Sequence, residues 1–126
     1  MRKGERGWIS MPKEFAFSTF WKDKHTSDVI ISADRKEVFY KKYPHELTEV
    51  PFEFDNPTVD QMYDFICSRC VPAGRTLINE YLEYLGLKEY NPYEIVKKTH
   101  GVMFEDFMWL KFPGETICWD EVKIRD

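Results

Sequence analysis

Apolar positions repeat every second residue near the start of the chain, every third or fourth in the middle, and every second again near the end. Phe15, Phe17, Thr19 and Trp21 alternate with Ala16, Ser18 and Phe20, which suits an extended strand. Asp28 to Ser32 and Glu37 to Tyr43, rich in β-branched and aromatic residues, flank the short polar connection Ala33-Asp34-Arg35-Lys36. That pattern predicts a hairpin with Val38 and Tyr40 on one face. Pro44, Pro51 and Pro57 then mark residues 44 to 57 as a loop, with room for an edge strand from Val50 to Phe54.

The period changes at Thr58. Thr58-Val59-Asp60-Gln61 has the form of a capping box, and Val59, Met62, Tyr63, Ile66 and Cys70 fall on one helical face. This helix must end before Pro72, because proline pushes its predecessor out of the α region. A second helix is expected from about Thr76, with Leu77, Ile78, Tyr81, Leu82 and Leu85 inward and Gly86 as its stop. A third has Asn91 as cap, Pro92 at its first position and Glu94 in its first turn, and it ends at Thr99-His100-Gly101.

Beyond that glycine, Asp106 to Phe112 sets Met108, Leu110 and Phe112 on one side and Phe107 and Trp109 on the other, as in a strand covered on both faces. Pro113-Gly114 makes a turn, and Thr116 to Ile124 reads equally as a returning strand or as a helical turn on Trp119 and Val122. The fold expected is α+β: a small antiparallel sheet, made of the N-terminal hairpin and the Trp109 strand, packed by three short helices near 58 to 70, 76 to 85 and 92 to 99. Residues 1 to 13 read as a flexible basic tail and 14 to 126 as a single domain.

Composition narrows the class. A chain of 126 residues, 43% hydrophobic and 17% aromatic, can bury a core without a metal or disulfide. No run approaches the roughly 20 apolar residues of a bilayer span, the opening MRKGERGWIS lacks the apolar core of a secretory signal, and three cysteines are an odd number. The expectation is a cytoplasmic protein with reduced thiols and no membrane contact. The net charge of −4 is uneven: residues 1 to 24 hold six bases against three acids, whereas 25 to 57 and 102 to 126 each sum to −3. Residues 58 to 101 come to −1, which disfavours duplex binding by the helical segment.

Candidate chemistry is thin. Cys67-Ser68-Arg69-Cys70 has redox spacing but sits at a helix end, where the dipole raises a thiol pKa. A metal would require Cys67, Cys70, His100 and Cys118 to converge at spacings that match no familiar site, and none is expected. His100 suits a cation at a helix C-terminus, while His25 and His45 fall in loops. Glu105 and Asp106, neighbours on a strand, point apart and form no acid dyad; they read as solvated residues at the strand's start. Arg69 and Arg75 flank a turn and could hold a phosphate or carboxylate, or simply cap carbonyls. No phosphate loop is present, and no cofactor, catalytic residue or small-molecule substrate is identified.

The segments Arg69-Cys70-Val71-Pro72 with Arg75, Leu85 to Pro92, Thr99-His100-Gly101, Asp106 to Phe112 and Trp119 to Val122 resemble a family of small proteins of unknown role in Firmicutes, often found among phage and other mobile-element genes. The likeness spans about Val29 to Arg125, and its last block also resembles a segment upstream of the catalytic region in some HipA-like kinases. No kinase region follows, so phosphotransfer is not implied. The resemblance implies an accessory protein of a mobile element, such as a regulator or an anti-defence, anti-CRISPR-like inhibitor. The reading is therefore a non-enzymatic protein that docks an acidic surface on a basic or nucleic-acid-binding protein partner. Arg69, Arg75, Glu105, Asp106, Asp120 and Glu121 are its candidate contacts. The alternative is a nucleic-acid-binding regulator using the basic tail with Arg69 and Arg75.

Overall fold

A computed structural model describes residues 13–124. The basic tail expected over residues 1 to 13 falls, except for Lys13, outside them. The elements in chain order are β1 (Phe15–Trp21), β2 (Lys24–Ile31), β3 (Val38–Lys42), α1 (Val59–Ser68), α2 (Ile78–Leu85), α3 (Pro92–Thr99), β4 (Met108–Lys111) and α4 (Trp119–Val122). The strands form one antiparallel sheet in the order β3-β2-β1-β4. The fold is α+β, and its helices cover one face of that sheet.

The covered face follows from the alternation. Phe15 and Phe17 of β1 and Val29 and Ile31 of β2 point into a core closed by Met62 and Ile66 of α1, Leu82 of α2, Ile95 and Val96 of α3, and Leu110 of β4. Phe15 meets Tyr93 and Phe112 edge-on at ring distances of 4.8 and 5.7 Å, the packing aromatic quadrupoles prefer. Val38 and Tyr40 pack against the same core from β3, while Phe39 between them faces out. The predicted alternation of β3 therefore holds.

Strand β2 starts four residues earlier than its apolar pattern indicates, and it pairs with β1 through a two-residue turn at Lys22-Asp23. The added stretch is polar, so periodicity could not show it. Its Thr26 and Ser27 are nonetheless fully buried, because the Thr19 hydroxyl bonds both of theirs, at 2.8 and 2.6 Å, beside a bulge between Thr19 and Phe20. His25, expected in a loop, belongs to this strand. The edge strand expected from Val50 to Phe54 does not form: Phe52 instead accepts the Tyr40 hydroxyl on its carbonyl at 2.6 Å, and Pro51 has no amide hydrogen to offer a ladder.

The helices keep their punctuation with two changes. Thr58 and Gln61 form the capping box, and Asn91 accepts from the Tyr93 amide with Pro92 following. Tyr63 leaves the inward face of α1 and is exposed. Helix α2 begins at Ile78 rather than near Thr76, since the chain turns through Pro72 to Leu77, and Leu77, expected inward, takes a left-handed φ of 64° and is exposed. Gly86 ends α2 with a φ of 81°, and the Leu87 amide reaches back to the Leu82 carbonyl at 2.8 Å. Residues 119–122 resolve to the helical turn.

Gly101 is the tightest glycine. With a φ of 63°, a Cβ there would lie 3.0 Å from Leu110 Cδ1 and 3.3 Å from Arg69 Cβ, whereas one on Gly74 would meet nothing within 4 Å. Gly101→Ala is expected to lower unfolding free energy by more than about 1 kcal/mol in urea titration, and Gly74→Ala to change it by less than about 0.5 kcal/mol. Equal effects at the two positions would contradict this packing.

Candidate functional site

Arg69 caps α1 and is 8% exposed. Its Nε donates to the Gly101 carbonyl at 2.9 Å, and Nη2 donates to the Met108 carbonyl at 2.7 Å. Its two terminal nitrogens also grip the Asp106 carboxylate, at 2.8 and 2.9 Å, in the fork geometry guanidinium favours. In sequence Arg69 stands near Arg75 and Asp106 has the look of a solvated residue; the fold pairs Arg69 with Asp106 instead. Their separation of 37 residues explains why spacing could not reveal it.

Arg75 and Glu105 remain on the surface and line a common recess of about 300 Å³ between α1, α2, α3 and the loop that leads to β4. Tyr81, Ile95, Val102 and Met103 give it apolar walls. Phe104 and Ile124, also lining it, are 65% and 56% exposed. Asp120 lies 3.1 Å from Lys123, and Glu121 accepts from the Cys118 amide at 2.9 Å as the cap of α4. The six residues expected to form one docking surface thus divide into a part-buried ion pair whose Arg69 also lines the recess, two exposed residues on that recess, and two acids engaged in a terminal helical turn.

Cys70 is buried, its Sγ donating to the Ile66 carbonyl at 3.4 Å, and burial pushes its thiol up to about 12. All three cysteines are free, and among the described residues no group of three or more His, Cys, Asp or Glu side chains is placed to hold a metal. His100 takes its place at the end of α3 with a φ of 60°, and its Nε2 also bonds Glu115 at 2.8 Å. Among the described residues no helix is long and apolar enough to cross a membrane.

A polar cluster that the sequence did not expose lies on the outer face of the sheet. Asp28 of β2 receives the Ser18 hydroxyl at 2.5 Å and the Tyr43 hydroxyl at 2.5 Å, and it bonds His25 Nε2 at 2.7 Å. The His25 ring stacks on Phe20 at 4.9 Å and leans on Tyr43 at 4.6 Å. Serine, histidine and aspartate meet here, but serine and histidine both turn to the carboxylate. Nucleophilic catalysis needs the serine on the histidine, so this arrangement stores a charge rather than activating an alcohol.

Burial raises the Asp28 pKa, but hydrogen bonds from Ser18, Tyr43 and His25 outweigh it and hold the carboxyl below its ordinary value of 3.8. A carboxyl depressed by folding stabilises the protein above its unfolded pKa, and that stability is lost as pH falls through the folded value.

Comparison with known protein families, curated proteins and solved structures finds no match to this chain.

Two measurements test these sites. Arg69→Ala, which strands the Asp106 carboxylate and two carbonyls, is expected to cost about 3 kcal/mol of stability, with little recovered by Arg69→Lys because an ammonium cannot fork. Asp28→Asn is expected to flatten the loss of thermal stability below pH 4, while the unaltered protein's melting temperature falls there; parallel pH curves would exclude Asp28 as the titrating group.

Proposed function

We propose that the protein acts by binding a protein partner, without a reaction of its own, and that the partner seats an apolar side chain in the recess beside Arg75 and Glu105. The observation that carries this is the coincidence of apolar walls, two largely exposed apolar side chains and charged residues at one recess. An apolar centre bordered by charge is the usual anatomy of a protein interface. Glu105 is the acid placed to meet a basic partner there, and a nucleic-acid-binding protein of a host defence system is the partner class that the sequence resemblance implies. The nucleic-acid reading loses one of its two internal bases, because the Arg69 guanidinium is committed to Asp106 and two carbonyls.

The test is comparative affinity capture from host lysate. A partner retained by the unaltered chain at physiological salt should be lost, or weakened at least about tenfold, with Phe104→Ser and with Glu105→Lys, each first shown to be folded. Retention of the same proteins by both variants would refute the recess as the docking site.

A further inference from the structure

The outer face of the sheet is ordered in rows that cross the strands. Pairing sets Phe39 beside Ile30 and Ile30 beside Ala16, giving an apolar row over β3, β2 and β1. One step toward the β1–β2 turn, Lys41 pairs with Asp28, Asp28 with Ser18, and Ser18 with Lys111. One step the other way lie Glu14 and Glu37, which border a depression shared with Ile30 and Phe39. Phe39 is 58% exposed and Ile30 37%. Among the described residues none of Glu14, Glu37, Lys41 or Lys111 has an ion-pair partner. Asp28, the one acid of the lysine row, is held by its own three donors.

Acids on one side of an apolar row and lysines on the other form a self-complementary pattern. We infer that this face is the contact between two copies of the chain, related by a two-fold axis along the Phe39–Ile30–Ala16 row. Such an axis reverses the strand direction and keeps each strand opposite its own copy. Phe39 then meets Phe39, Glu37 faces Lys41 of the second copy, and Glu14 faces Ser18 of the second copy, which Lys111 neighbours across the ladder. Sheets packed face to face in this aligned way are the ordinary sandwich arrangement. A polyanion fits less well, because Glu14 and Glu37 would repel it from the same face. A duplicate chain sets each Glu37 against a Lys41 and places no acid opposite an acid. This contact is independent of the recess and leaves it open.

The pairing makes a trans prediction that no effect within one chain can imitate, because Glu37 and Lys41 stand about 13 Å apart along the strand. The full chain should associate reversibly to dimers in sedimentation velocity between about 1 and about 500 µM. Glu37→Lys and Lys41→Glu, both at exposed positions and checked for folding by circular dichroism, should each weaken dimerisation about tenfold or more by opposing like charges. Mixing the two variants should restore it, since each supplies the charge the other lacks. Phe39→Asp should abolish it. A chain that stays monomeric across this range, leaving the face to a different occupant, overturns the inference. So does a mixture of the two variants that associates no better than either alone.

Discussion

One buried guanidinium ties the helical layer to the edge of the sheet. Arg69 ends α1, yet its donors are spent on Gly101, Asp106 and Met108, which bracket the loop between α3 and β4. The loop's path fixes the start of β4, and β4 places Leu110 opposite Thr19 in the core. Gly101 shows how closely the parts fit, since a methyl group there would press against Leu110 at 3.0 Å and the Arg69 side chain at 3.3 Å. The Asp106 carboxylate is the group that makes burial of this charge tolerable. An unpaired arginine at that depth would carry its full desolvation penalty.

The same loop gives the Trp109 stretch its meaning. Trp109 is fully buried, its ring 5.1 Å from Phe20 and its Nε1 donating to the Lys22 carbonyl at 2.6 Å. The Lys22 amide in turn donates to the Phe107 carbonyl, and Asp23 accepts from the Trp119 amide. The two-residue turn between β1 and β2 is thus clamped by β4 on one side and by α4 on the other. Aromatics that could have lined a ligand cavity instead complete the interior around that turn.

Much of the fold was legible where one local rule acts alone. The capping box at Thr58, the Asn91-Pro92 start of α3 and the Gly86 stop of α2 are each set by a few adjacent residues, and each formed as the residues imply. The readings that changed depended on distant partners. Thr26 and Ser27 look like loop residues until Thr19 supplies their hydrogen bonds, and Leu77 looks inward until the turn after Pro72 takes it out of the helix. Of the residues proposed to contact a partner, Arg69 and Asp106 were singled out for their charge. That charge joins α1 to the loop before β4, while Arg75 and Glu105 share the recess that Arg69 also lines. The outer face is not legible in the sequence because its rows run across strands, whereas sequence patterns run along them.

The two-layer arrangement separates the surfaces that remain. An antiparallel sheet covered on one side ordinarily turns a polar face to water. Ser18, Asp28 and Lys41 obey that rule, and two residues further along the strands Ala16, Ile30 and Phe39 break it together. Single exposed apolar side chains are common and require no explanation, but an apolar row across three strands in which Ile30 and Phe39 are both exposed is different. The recess lies among the helices, on the opposite side of the core from this row. Each surface can therefore be occupied while the other stays exposed, and the Arg69 pair, placed beneath the recess, holds the loop that presents Glu105 in register with the sheet.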